Sequence, residues 1–142
     1  RTAFRQSNRI IVEKFAAGRE LTAAVLGEKV LPIIEIIPKK SFYDYQAKYQ
    51  KGMSLHILPA KIPDRAAAEV RRLALKAHRA LGCRGFSRVD FILTLARKIW
   101  TLEVNSIPGM TETSLFPEAA RAAGFSFPEM ALEIVRSSRD EQ

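Results

Sequence analysis

Arg88-Val89-Asp90-Phe91-Ile92-Leu93-Thr94, a break at Ala96-Arg97-Lys98, and Ile99-Trp100-Thr101-Leu102-Glu103-Val104-Asn105 read as two strands joined by a tight turn, since both runs are rich in β-branched and aromatic residues. With Ala96 and Arg97 as a two-residue turn, Leu95 faces Lys98 and, counting outward, Asp90 falls directly opposite Glu103. Alternation then sorts the side chains. Arg88, Asp90, Ile92, Thr101, Glu103 and Asn105 share one face, and Val89, Phe91, Leu93, Trp100, Leu102 and Val104 share the other. The second face is wholly apolar and is expected to pack on a core. The first is left to line a cleft holding an arginine, two acids and an amide.

Two carboxylates directly opposed on a sheet destabilise it. At about 5 Å and an effective dielectric near 20, their repulsion is of order 3 kcal/mol, so a positive partner is required. One reading is a structural cluster in which Arg88 bridges both acids. The other is a divalent cation, and Mg²⁺ suits it, because that ion takes oxygen ligands, commonly one or two carboxylates with substrate phosphates and water. Asn105 would add a neutral oxygen. The segment Ser106-Ile107-Pro108-Gly109-Met110-Thr111 follows the acidic strand directly and favours the second reading. Pro-Gly marks a sharp turn at which backbone can approach a ligand closely, and exposed N–H groups there could hold an anion.

Composition bounds the setting. A chain of 142 residues with 47% hydrophobic residues suits one domain, able to bury roughly two thirds of its unfolded surface. The single cysteine, Cys83, excludes an intramolecular disulfide and suits the cytoplasm; it reads as a small buried hydrophobe after the helix terminator Gly82. The apolar run from Val30 to Ile37 is interrupted by Pro32 and Glu35, is far too short for a bilayer, and leaves no membrane role. A formal charge of +8 raises the question of nucleic acid, but the basic residues are dispersed and no zinc-ligand or RNP-like pattern accompanies them. Attraction of a phosphate-rich ligand is the simpler account.

Along the chain strands and helices alternate. Ile10 to Phe15 is expected as a strand, and Glu20 to Leu26 turns through Gly27-Glu28-Lys29 into Val30 to Ile37. A polar excursion runs from Pro38 to about Gly52, and Ser54 to Leu58 returns as a short strand. Asp64 is the expected N-cap of a helix whose apolar face carries Val70, Leu73, Ala74, Ala77 and Leu81 before Gly82 stops it, with His78 at the edge or surface. Neither His56 nor His78 has a recognisable pairing motif. Pro117 to Ala123 and Pro128 to Ser137 make two further helices separated by Gly124, and residues 138–142 form a polar tail. The fold class is α+β. A start at Arg1, in what reads as a helix end over Thr2 to Gln6, suggests a portion of a longer protein.

From Arg9 to Phe127 the chain resembles the C-terminal part of D-alanine-D-alanine ligases, members of the ATP-grasp superfamily. The matching blocks are Val12-Glu13-Lys14-Phe15 with Gly18-Arg19-Glu20-Leu21-Thr22, then Phe42-Tyr43-Asp44-Tyr45-Gln46-Ala47-Lys48-Tyr49, then Arg88 to Asp90, then Glu103 to Thr111. The resemblance implies the C-terminal portion of an ATP-grasp fold, an antiparallel sheet with flanking helices. Residues 1–142 would be one partial domain, without the upstream substrate domain and the small-lobe phosphate loop. It implies the joining of two D-alanines through an acyl phosphate for peptidoglycan synthesis, with ATP and two Mg²⁺ ions, or Mn²⁺ in their place.

By the same resemblance Glu13, Lys14, Phe15 and Ala16 match the segment that reads adenine, and Glu20 matches the acid on the ribose. Lys48 and Tyr49 match a loop over the site, the lysine towards the phosphates and the tyrosine near the amino-acid substrates. Asp90, Glu103 and Asn105 match the metal ligands. Arg88 and Gly109 match groups that stabilise the transferring phosphoryl and an oxyanion, while Ser114 and Leu115 match those that fix the second D-alanine's carboxylate. The implied partners are D-alanine, ATP and the remaining N-terminal part of the enzyme, with a homodimer left open. Without that part the chain alone is expected to have little ligase activity. Two alternatives stand beside this: another ATP-grasp carboxylate-amine ligase, and a nonenzymatic nucleotide- or nucleic-acid-binding module.

Overall fold

A strand buried on both sides must sit inside a sheet, and in the computed structural model, which describes residues 5–38 and 54–139, β1 (Arg19–Leu26) is such a strand, with every residue from Leu21 to Leu26 buried. β2 (Lys29–Val30) turns back on its end, β3 (Ile34–Pro38) and β4 (Ser54–Ile57) continue to one edge, and β5 (Phe86–Leu93) and β6 (Ile99–Asn105) continue to the other. The order is β4-β3-β1-β5-β6, all antiparallel, with β2 paired to β1 alone. Three helices complete the described elements: α1 (Asp64–Ala80), α2 (Leu115–Ala122) and α3 (Phe127–Ser138). The α+β class and the antiparallel sheet with flanking helices are as expected. Among the described residues no helix is long and apolar enough to cross a membrane.

Alternation along β1 and β5 divides the core into two layers. Leu21, Ala23 and Val25 join Val89, Phe91 and Leu93 against Val70 and Ala74 of α1. On the opposite face Ala24 and Leu26 join Ile34, Ile36, Phe116, Ala119, Ala120 and Met130, which brings in α2 and α3. Each large side chain so buried contributes about 1.5–3 kcal/mol. α2 and α3 cover only one end of their face. Further along it, Glu20, Asp90 and Ile92 line an open cavity instead, so the helices themselves define where a ligand could lie.

Several elements depart from expectation. Residues 10–15 form no strand: Ile11, Val12 and Phe15 are 87%, 85% and 87% exposed, and pairing starts only at Arg19, because β1 already has β3 and β5 on its two edges. Pro63, not Asp64, holds the N-cap position of α1 (φ −58°, ψ 143°), and Asp64 is the first helical residue, where its charge still complements the helix dipole. The buried stripe of α1 runs through Val70, Ala74 and His78 at spacings of four. His78 is therefore interior, its Nδ1 2.7 Å from Ser87 Oγ, while Leu81 lies past the helix end and is exposed. Gly82 takes φ 63° after α1, the left-handed conformation that ends helices. Cys83 is half-buried and free. α2 and α3 fall within two residues of their expected bounds, and α3 starts with a capping box in which Ser126 and Glu129 satisfy each other's backbone N–H groups. The helix expected over 2–6 and the tail over 138–142 fall largely outside the described residues.

Candidate functional site

Asp90 does face Glu103, but by a different route from simple counting. The turn is a three-residue loop, Leu95-Ala96-Arg97. Thr94 N–H donates to Lys98 C=O at 2.9 Å, Arg97 N–H donates to Thr94 C=O at 2.9 Å, and Arg97 takes φ 60°, a left-handed conformation that costs of order 1 kcal/mol outside glycine. That shifts the ladder by one residue, pairing Ile92 with Trp100 and Phe91 with Thr101. A bulge at Leu102 then restores the register, so that Asp90 meets Glu103 and Arg88 meets Asn105. Between turn and bulge the β6 side chains are inverted relative to expectation. Ile99, not Trp100, packs on the α1 core beside Val104, while Trp100 and Leu102 are 45% and 54% exposed and line the cavity. The wholly apolar second face is thus corrected at Trp100, Thr101 and Leu102.

The acid pair is asymmetric. Asp90 is 8% exposed and held from two sides. Thr22, itself buried in β1, donates its hydroxyl to Oδ1 at 2.6 Å, and Arg88 donates through Nε to Oδ1 at 3.0 Å and through a terminal nitrogen to Oδ2 at 2.8 Å. Such a fork fixes a carboxylate in orientation as well as in charge. Glu103 is exposed, and among the described residues the Asn105 amide, at 3.4 Å, is the one side chain that donates to it. The structural reading of Arg88 therefore holds for Asp90. The donor set nevertheless fits Mg²⁺. It is all oxygen, it lies on adjacent strands at an open cavity, and although Asp90 Oδ1 already accepts two bonds, Asp90 Oδ2 and the Glu103 carboxylate retain acceptor capacity. Two carboxylates alone make a sparse set, and among the described residues no cluster of three or more His, Cys, Asp and Glu side chains is suited to hold a metal. An ion here would need oxygens from a ligand as well.

The cavity, about 770 Å³ in volume, is lined by Glu13, Lys14, Phe15 and Ala16, by Glu20, and by Asp90 and Glu103, within the 300–1,000 Å³ usual for small-molecule sites. The segment before β1 is brought to the sheet by Gly18, whose hydrogen-for-methyl economy is needed: a Cβ there would lie 2.5 Å from the Leu93 carbonyl oxygen and 2.6 Å from Ile92 Cγ2. Arg88, Asn105, Gly109, Ser114 and Leu115 are not part of this wall. Arg88 and Asn105 continue the same face of the hairpin beyond the acids. Gly109 is exposed and close to Ser114, where a Cβ would fall 2.8 Å from Ser114 Oγ. Ser114 N-caps α2 with its hydroxyl turned to Thr111, accepting from its N–H at 3.1 Å. Lys48 and Tyr49, with the rest of 39–53, lie outside the described residues.

Neither histidine is isolated, contrary to the sequence pattern. His56 on β4 makes contacts to Glu118 of α2 (Nδ1 to Oε2, 2.7 Å) and to Ser54 (Nε2 to Oγ, 3.0 Å), tying the edge strand to the helix layer. Thr22, bonded to Asp90, and Trp100, on the cavity wall, are residues of the candidate site to which the sequence pattern assigns no role. No pattern announces the first, and the second was masked by an unseen bulge.

Comparisons with known proteins show the family and the fold likeness. A family profile described as "D-ala D-ala ligase C-terminus" matches residues 1–136. A D-alanine-D-alanine ligase of Desulforudis audaxviator is 52% identical over 135 residues, covering 93% of this chain and 44% of that protein. A crystal structure of the Bacillus anthracis D-alanine-D-alanine ligase superposes with a TM-score of 0.81 at 32% identity, over 96% of this chain and 45% of that one. The same enzyme complexed with ATP gives 0.74 at 33% identity, over 89% and 41%. The chain thus spans less than half the length of the relatives it matches.

Proposed function

The chain belongs to the D-Ala-D-Ala ligase C-terminal family, and from that membership we propose that it forms the nucleotide-binding, phosphate-handling part of a cytoplasmic enzyme that joins two D-alanines at the expense of ATP. The observation that carries the proposal is the shared cavity: the segment Glu13 to Ala16, Glu20, Asp90 and Glu103, distant in sequence, line one space.

In this reading the backbone of Glu13 to Ala16 offers N–H and C=O groups to a nucleobase edge, and Glu20 accepts from ribose hydroxyls. Asp90, Glu103 and Asn105 would hold two Mg²⁺ ions, with Mn²⁺ the alternative; when bound, such ions neutralise the charge of the β- and γ-phosphates. Arg88 fixes Asp90 and presents positive charge towards the transferring phosphoryl group. The carboxylate of one D-alanine attacks the γ-phosphorus, giving an acyl phosphate and ADP. The amine of the second, after losing a proton, attacks the acyl carbon and expels phosphate. Backbone N–H at Gly109 would face the oxyanion, and Ser114 and Leu115, at the start of α2, the second carboxylate. Lys48 and Tyr49 would cover the site and keep water from the acyl phosphate. Residues 1–142 are one partial ATP-grasp domain in this account, and a homodimer is compatible with it.

Calorimetric titration of the chain with Mg-ATP, beside the double variant Asp90→Asn, Glu103→Gln, tests this. Magnesium-dependent binding that the variant loses is expected, with no D-alanine-dependent phosphate release by the 142-residue chain alone. Binding that the variant keeps would remove the acid pair from the site.

A further inference from the structure

We propose that Trp100 is a nucleobase-contact residue, the aromatic wall of the base end of the cavity, an inference that rests on the nucleotide reading above. Three observations converge. First, the three-residue turn and the Leu102 bulge place Trp100 opposite Ile92, on the Asp90 face rather than in the α1 core. Its indole is 45% exposed and lines the same cavity as Phe15, Glu20 and Glu103.

Second, the ring has a cationic neighbour over one face. Lys98 Nζ sits 3.9 Å from the ring centroid, a cation–π contact worth about 0.5–1 kcal/mol at an exposed site. Lys98 itself is not part of the cavity wall, while Trp100 is.

Third, the spacing along β6 suits a nucleotide. Glu103 lies at the acid end, and Trp100 is three residues nearer the turn, about 10 Å along an extended strand. It sits beside Ile92 and Thr94, where Gly18 brings the Glu13–Ala17 segment against β5. Phosphates near Asp90 and Glu103 would leave the base at the Trp100 end, where Glu20 lies level with Trp100 across Ile92. Aromatic contact is tolerant of which base it meets, since every base has a π-face.

The chain has one tryptophan, so its emission reports on this wall alone. Titrating the chain with Mg-ADP and, separately, with Mg-tripolyphosphate, which has no base, is expected to give saturable quenching with the first and no spectral change with the second. Trp100→Ala should lose roughly 5- to 150-fold in ADP affinity by calorimetry, the range for deletion of one base–aromatic stack. Tripolyphosphate affinity should be unaltered, and Trp100→Phe should recover most of the loss. Circular dichroism checks that each variant folds. ADP binding with unchanged emission and equal affinity in Trp100→Ala would overturn this inference and leave the nucleotide reading intact. Absence of ADP binding by the unsubstituted chain would overturn both.

Discussion

Arg88→Met tests whether Asp90 is a buried, clamped carboxylate or a solvated surface acid. The side chains of Arg88 and Asp90 are 15% and 11% exposed, so the substitution leaves a carboxylate nearly out of water with the Thr22 hydroxyl as its remaining described donor. Breaking a buried ion pair by removing one partner costs about 3–5 kcal/mol. The residual exposure and the Thr22 bond argue for the low end, about 3 kcal/mol, which at about 3 °C per kcal/mol for a chain of this size is a fall of roughly 10 °C in Tm. Asp90→Asn alone should also destabilise, because it removes the charge that strengthens the Arg88 fork. The double variant removes both charges and should cost about 1.5 kcal/mol or more less than the sum of the singles. Urea unfolding followed by circular dichroism measures all four corners of this cycle. If Arg88→Met unfolds within about 0.5 kcal/mol of the parent, or if the singles simply add, the clamp is a surface pairing of the kind worth little and the reasoning fails.

Two further outcomes follow from the same geometry. Burial holds the His78 imidazole below its ordinary value, with Glu28 opposing that shift and Arg79 adding to it. His78 is thus favoured as neutral in the fold, and its contribution is complete above the unfolded value of about 6.5 and lost as pH falls through that value towards the lower folded one. The urea midpoint should decline between about pH 7 and pH 5, and less so in His78→Gln; identical declines would exclude His78 as the source. Gly18→Ala places a methyl 2.5 Å from a backbone oxygen of β5, so it should cost about 1–3 kcal/mol and weaken Mg-ATP binding. A variant that melts and binds like the parent would show that residues 13–18 are not seated against β5 in solution.

What could be read from the chain alone was whatever depends on local pattern. β1, β4, the β5–β6 pair and the three helices all carry their own periodicity or punctuation and appear close to their expected spans, whereas the strand expected from Val30 to Ile37 is divided into β2 and β3, with no strand over 31–33 around Pro32. The misreadings have one physical origin, since they are decided by neighbours rather than by the segment itself. Ile10 to Phe15 has the composition of a strand, but the edges of β1 are already taken by β3 and β5. His78 looks like a helix-edge residue until Ser87, on a different element, supplies a partner for a buried imidazole.

The acid pair shows how a correct register can rest on an incorrect path. A two-residue turn with a regular ladder and a three-residue turn with one bulge both bring Asp90 opposite Glu103, because the extra turn residue and the extra strand residue displace the ladder by equal and opposite amounts. The paired acids could not distinguish the two routes; only the residues between turn and bulge could. Those residues include Trp100, which the regular ladder buries and the bulged ladder turns to the cavity. Removing Leu102 should therefore do more than shorten β6. It would force either Asp90 out of register with Glu103 or Trp100 off the cavity wall, since period-2 alternation cannot satisfy both once the bulge is gone. The bulge is what allows one short strand to present a carboxylate and an indole to the same cavity while keeping Ile99 and Val104 in the core.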